Sequence, residues 1–325
     1  MRTGTSALMV VVLVLGAWLS PVGAEEMAEG PPPGTWLATL QQEAASVAVP
    51  NAPNAPDESQ KPIPLSVSVD YTLVTDYIFR GINFSEYPGE GREKLNHQMG
   101  IGVSYDTGKL GTFGVTLWLE WYADQERLTP GSNDHLQEVD YVGYWSYPIE
   151  AIATTFETGW IAYDFPQLSG DEGCTNEWYV MLSLDDAKLF GTEGNVFSPF
   201  VAFYLDLDDF HPGCWLEFGV SHDFALAELG LAGCPFLKHV TVTPSFVLGY
   251  DHRYLNKATG MGRESSKLGN LRYGLAVSYD LAAALNLPPQ VGGISVTGFL
   301  TFSDAVRDEL IDDELFGGMS VGWSW

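Results

Sequence analysis

Few residues of this 325-residue chain have the types and spacing of a reaction centre. The six histidines, His97, His135, His211, His222, His239 and His252, are scattered, and no serine stands in a G-x-S-x-G elbow. A hydrolase that holds a nucleophile against a base therefore has no candidate pair. Cys174, Cys214 and Cys234 lack the closely spaced ligand pairs of a zinc site. What recurs instead is charge at fixed parity, inside segments that alternate apolar and polar residues. Asp76, Arg80, Glu120, Asp140, Glu157, Glu177, Asp206, Glu217, Asp251, Arg253 and Arg272 all stand on the polar side of such a segment. Carboxylates facing a few arginines across a confined space create a transverse field, and an acidic excess favours cations over anions. The same groups, fully paired, would instead fill and stiffen an interior. Neither a catalytic residue, a cofactor nor a metal centre is expected. Acidic runs such as Asp206-Leu207-Asp208-Asp209 and Asp312-Asp313-Glu314 lack the spacing of a calcium loop and read as solvated charge.

The segments that position these charges are strands. In Leu65–Gly81 the odd residues Leu65, Val67, Val69, Tyr71, Leu73, Tyr77 and Phe79 oppose Ser66, Ser68, Asp70, Thr72, Asp76 and Arg80. A period of two places these sets on opposite faces. The pattern repeats near residues 95–105, 112–121, 138–147, 151–163, 177–185, 200–207, 215–223, 240–251, 271–280 and 294–302. It ends in Glu314–Trp325, where Leu315, Met319, Val321, Trp323 and Trp325 face away from Phe316, Gly318, Ser320, Gly322 and Ser324. An exposed terminal strand of this kind would aggregate in water, whereas in a closed barrel it is the closing strand. Aromatic residues recur near strand ends on the apolar side (Tyr105, Trp121, Tyr147, Trp178, Tyr279 and Trp323), as an interfacial girdle requires. A soluble β-sandwich also alternates, but its strands would be shorter and its exposed face polar. The expected fold is all-β: a transmembrane, antiparallel, up-and-down β-barrel of about twelve strands over residues 63–325. An even count puts both chain ends at one side.

The remaining segments fit export. Residues 1–24 read as a signal peptide, with Arg2, an apolar run over Ala7–Leu19 and cleavage after Ala24. Its removal takes the formal charge from −27 to −28, which excludes nucleic acid as a partner. No later segment holds the roughly twenty apolar residues of a membrane helix. Residues 25–62 are rich in proline and acidic, and read as a periplasmic linker. Cys174 and Cys214 both fall near loops of one side, so a disulfide between them and two free thiols are alternatives.

The stretch Thr75-Asp76-Tyr77-Ile78-Phe79-Arg80-Gly81-Ile82-Asn83-Phe84-Ser85 resembles the opening strand of TorF-family porins, a group of exported bacterial proteins, at Tyr77, Phe79, Arg80, Gly81 and Ser85. The terminal aromatic Trp325, with Trp323, resembles the closing-strand signal of bacterial outer-membrane proteins. These resemblances imply a barrel in the cell outer membrane, surrounded by lipid and assembled by the barrel-assembly machinery through its last strand. The expected function is a narrow passive porin for small, preferentially cationic solutes. The alternatives are a filled structural or adhesin-type barrel and, more remotely, an outer-membrane enzyme.

Overall fold

The computed structural model describes residues 64–85, 95–122, 136–166, 173–192, 194–208, 213–255, 266–307 and 311–325. The expected signal peptide and linker lie outside the described residues. The long strands are β1 (Leu65–Val74), β2 (Asn96–Asp106), β3 (Thr112–Tyr122), β4 (Leu136–Ile149), β5 (Thr154–Asp164), β6 (Cys174–Leu184), β7 (Phe200–Asp206), β8 (Cys214–Ser221), β9 (Val240–His252), β10 (Ser266–Asp280), β11 (Gly293–Ala305) and β12 (Glu314–Ser324). Each pairs antiparallel with its neighbours in sequence, and β1 pairs with β12, so the twelve strands close into a barrel. The closing register sets Ser68 opposite Ser324 and Leu73 opposite Met319, and Val67 and Trp325 exchange two backbone bonds of 2.8 Å. Closure leaves no unpaired edge, which answers the hazard of an exposed last strand.

Parity decides which residues face in. On β1 the even residues Thr72 and Val74 are buried; on β12 Phe316 and Ser320 are buried while Leu315, Met319 and Val321 are exposed. The outer face carries Val103, Val115, Tyr141, Trp160, Leu216, Phe218, Tyr273, Leu275, Leu300 and Phe302, all exposed. Large apolar side chains ring the whole sheet, an extent that water does not tolerate on a monomeric surface. None of the six girdle aromatics is buried. Several outward tryptophans donate their indole N–H locally, Trp178 to Thr158 Oγ1 at 2.9 Å and Trp323 to the Val291 carbonyl at 2.7 Å. An apolar ring with its one donor satisfied suits the border between hydrocarbon and water.

The inner face alternates small with large across neighbouring strands. Tyr144 lies opposite Gly114, Tyr179 opposite Gly159, Phe200 opposite Gly219 and Phe299 opposite Gly318. A side chain on Gly114 would begin 2.1 Å from the Tyr144 ring. Each glycine thus makes room for an aromatic that would otherwise have no space to turn along the wall.

One expectation fails at the strand ends. The alternation of residues 65–81 predicts a strand reaching Gly81, but β1 stops at Val74. The chain then turns inward as a small hairpin in which Ile78 pairs with Asn83 and Phe79 with Ile82. Arg80 (φ 51°) and Gly81 (φ 87°) form its tip, the backbone of a two-residue hairpin turn with left-handed central residues. Alternation of side chains survives in a hairpin, so periodicity alone could not tell it from a longer strand.

The rim at which β1 starts and β12 ends also bears connections of uneven length. Residues 107–111 form a tight turn, whereas the β6–β7 connection includes the short helix α1 (Ala187–Phe190) and the β8–β9 connection contains helical turns at Ala227–Leu231 and Leu237–His239.

Candidate functional site

Most of the inward charged residues lie in the half of the barrel opposite the rim at which β1 starts and β12 ends. The inward hairpin is what organises them. Its base is held on one side of the lumen. Tyr77 N donates to Ser85 Oγ at 2.7 Å, Phe84 N donates to the Tyr77 carbonyl at 2.8 Å, and Asn96 Nδ2 on β2 donates to Ser85 Oγ at 2.5 Å. The Tyr77 ring stacks on Phe84 and tilts against Trp118 of β3, both at 5.5 Å between centroids. Ile78, fully buried, joins Val74, Ala276, Phe299 and Phe316. From there the tip crosses the lumen. Arg80 meets Glu177 on β6 with two bonds, Nη1 to Oε1 at 2.6 Å and Nη2 to Oε2 at 2.9 Å. Tyr163 on β5 donates its hydroxyl to Glu177 Oε2 at 3.0 Å. The guanidinium carbon lies 4.6 Å from the Tyr204 ring on β7, 5.9 Å from Trp215 on β8, 4.2 Å from Tyr254 and 4.7 Å from Phe79. β7 stands six strands from β1 in either direction round the barrel, so the hairpin spans the lumen from wall to wall.

Two more arginines are spent on the same side. Arg272 on β10 donates to Glu217 Oε1 on β8 at 2.5 Å, and Trp215 Nε1 donates to the same oxygen at 3.0 Å. Arg307, beyond β11, pairs with Asp251 on β9. Asp251 also accepts the backbone N–H groups of Tyr254 at 2.6 Å and Leu255 at 3.1 Å. Leu255 and Ile311 are buried among the lumen tyrosines, so the hairpin is not the only connecting segment that enters the barrel. Buried charges must be paired and hydrogen-bonded, and bidentate or ring-stacked arginine meets that demand better than lysine.

The β2–β4 side of the lumen has a different balance. Cross-strand register places Gln98 opposite Glu120 and Glu120 opposite Glu138, with Trp118 opposite Asp140. Glu120, Glu138 and Asp140 are all buried. Tyr77 donates its hydroxyl to Glu138, and Glu138 and Asp140 share a hydrogen bond. Lower in the barrel Glu157 accepts the Tyr179 hydroxyl at 3.0 Å. Among the described residues no lysine or arginine forms an ion pair with Glu120, Glu138, Asp140 or Glu157. The walls therefore carry paired charge on one side and carboxylate in surplus on the other.

Of the expected inward set, Asp76, Arg80, Glu120, Asp140, Glu157, Glu177, Glu217, Asp251 and Arg272 are buried. Asp206 is half-buried and serves a turn, accepting Asp208 N at 3.0 Å. Arg253 departs from the expectation: it is exposed, because β9 ends at His252 and a left-handed residue (φ 65°) reverses the chain there. Glu138, Arg307, Tyr77 and Trp118 are additional members. Glu138 shares the parity of Asp140 and was legible by that rule; Arg307 lies past a strand end, where no periodicity applies.

Cys174 and Cys214 are free thiols. They stand on β6 and β8 with β7 between them, about 10 Å apart across the sheet, and Cys214 is level with Trp178, four residues below Cys174. That exceeds the reach of a disulfide. Among the described residues no group of three or more His, Cys, Asp or Glu is arranged to hold a metal ion. Asp313 instead accepts the Ala305 N–H at 2.8 Å, the local role expected of turn carboxylates. The outward His97 stacks on Trp121 at 5.6 Å and bonds the Tyr71 hydroxyl.

No family model matches the chain, and no curated protein matches it. Solved structures do. The KdgM porin is 12% identical, with 79% of this chain and 99% of that chain covered and a TM-score of 0.41. The NanC porin is 10% identical, with 80% and 98% covered and a TM-score of 0.41. An outer membrane channel from Pseudomonas putida F1 is 6% identical, with 82% and 97% covered and a TM-score of 0.46. The likeness is one of general architecture.

Proposed function

We propose that the chain is an outer-membrane barrel acting as a narrow, passive channel for small cationic solutes, constricted by the hairpin that follows β1. The observation that carries this reading is the charge balance of the lumen. Arg80, Arg272 and Arg307 are each matched by a carboxylate, while Glu120, Glu138, Asp140 and Glu157 have no such partner among the described residues. In a low-dielectric wall, carboxylates that lack a cationic partner favour the entry of a cation over that of an anion. The apolar outer face supports a lipid setting, and the signal segment over residues 1–24, with cleavage after Ala24, supports export. The stretch Tyr77–Ser85 supports kinship with TorF-family porins, and the Trp323 and Trp325 strand supports assembly by the barrel-assembly machinery. Planar-bilayer recording under a potassium chloride gradient tests the reading. Cation-selective steps are expected, with the reversal potential moving toward zero in Glu120→Gln and Asp140→Asn. Anion selectivity in the unmodified protein would overturn it.

A second reading, a filled structural barrel, is favoured by a specific observation: the hairpin, Leu255 and Ile311 occupy the outer half of the lumen. The two readings part on a variant in which Asp76–Phe84 is replaced by a short turn. A channel gains conductance on this change, and a filled barrel still passes no current.

A further inference from the structure

We propose that Glu177, Tyr163, Tyr204, Trp215 and Tyr254 form a guanidinium-binding subsite of the lumen, in which Arg80 is the resident occupant and guanidinium-bearing solutes are the competing ligands. The proposal rests on reading the lumen as a solute path. Every element of the pocket matches a flat, delocalised cation. Both Glu177 oxygens accept, at 2.6 and 2.9 Å, in the parallel geometry that a guanidinium fork presents and an ammonium does not. The Tyr163 hydroxyl fixes the carboxylate from behind. Tyr204 and Tyr254 offer ring faces at 4.6 and 4.2 Å, with Trp215 at 5.9 Å, and such contacts strengthen when water is excluded.

The occupant is not part of the wall that binds it. Tyr163, Glu177, Tyr204 and Trp215 lie on four consecutive strands, β5 to β8. Arg80 arrives from across the barrel at the tip of a hairpin only a few residues long. Its backbone is left-handed at a position where asparagine or glycine is the comfortable choice. A tie needed only for packing could have been supplied by the strands themselves. A wall that presents a desolvated carboxylate and aromatic faces has a use for a cation whether or not the hairpin supplies it, because Glu177 buried alone would be costly. An intramolecular occupant carried by a packed hairpin competes strongly with any free ligand, so the subsite is opened to free guanidinium solutes most directly by removing the Arg80 side chain.

The test uses Arg80→Gly and Arg80→Asn, both compatible with φ 51°, in detergent-folded full-length protein with methylguanidinium as the probe. Thermal unfolding should move down in both variants. Methylguanidinium should restore it at concentrations on the order of tenfold below those of methylammonium, a difference of about 1.4 kcal/mol. The response should vanish when Glu177→Gln is added. Equal responses to the two probes, or a response that survives Glu177→Gln, would overturn the subsite. If the variants fold only with methylguanidinium present, the subsite is supported; if they fold under neither condition, Arg80 is a fixed structural tie and the proposal fails. Bilayer recording separates this proposal from the channel reading. Restored stability without current retains the subsite and removes the channel, whereas current that methylguanidinium does not block, with no stability response, does the reverse.

Discussion

Glu177 collects both nitrogens of Arg80 and the Tyr163 hydroxyl at a point that is 1% exposed. Replacing it with glutamine leaves the guanidinium buried without an opposite charge. We expect Glu177→Gln to destabilise the detergent-folded barrel by about 3–5 kcal/mol, read from denaturant unfolding. The loss should be smaller in an Arg80→Gly background, where no buried cation remains, and equal losses in both backgrounds would show that the two residues do not act together. Position on one face is legible from parity for Glu120, Asp140, Glu157, Glu177, Glu217 and Arg272, because a strand maps sequence onto direction until it bulges, as at Glu120 and Gly249, or ends. Partnership is not. Nothing in the spacing of Arg80 and Glu177, 97 residues apart, joins them; that pairing needs a hairpin that no alternation announces. Arg253 escapes parity for the complementary reason, since it lies one residue past the end of the strand that enforces the rule.

The strands themselves are legible in the sequence because each has one apolar and one small or polar face, and that contrast is what a wall between lipid and lumen imposes. Their ends are less legible. β1 stops at Val74 because the chain has a better use for Tyr77, Ile78 and Arg80 inside than further up the wall. Glycine placement was also opaque in sequence. Gly249 and Gly269 flank Trp215, and a side chain on Gly249 would begin 2.2 Å from its ring and 2.5 Å from Asn270 Oδ1. Gly249→Ala should therefore displace Trp215 and cost about 1–3 kcal/mol. A red shift in tryptophan emission would check it, and an unaltered spectrum with unaltered stability would argue against close packing there. Gly81 carries a second constraint, a left-handed backbone with Ile311 Cδ1 2.5 Å from any added Cβ, so Gly81→Val should loosen the tip. If Arg80 is held by that tip, proteolysis within the connecting segments should accelerate in this variant.

For the molecule as a whole, the outer surface decides where it can live. Leu275 and Leu300 are direct cross-strand partners near mid-wall, 48% and 52% exposed. A lysine at either site in a bilayer should cost about 2–4 kcal/mol, falling toward the rims. Folding titrations in lipid vesicles check this, and indifference to Leu275→Lys would mean that water rather than hydrocarbon touches the wall. The ring of twelve strands has one more consequence. Because β1 and β12 are zipped together through seven register pairs, no strand is last in line. Unfolding cannot begin by fraying, since the first strand to leave must break two complete seams before anything is gained. Such a molecule resists denaturation chiefly through the slowness of its first step. Once shut, it should outlast detergent and heat for times that its equilibrium stability alone would not suggest.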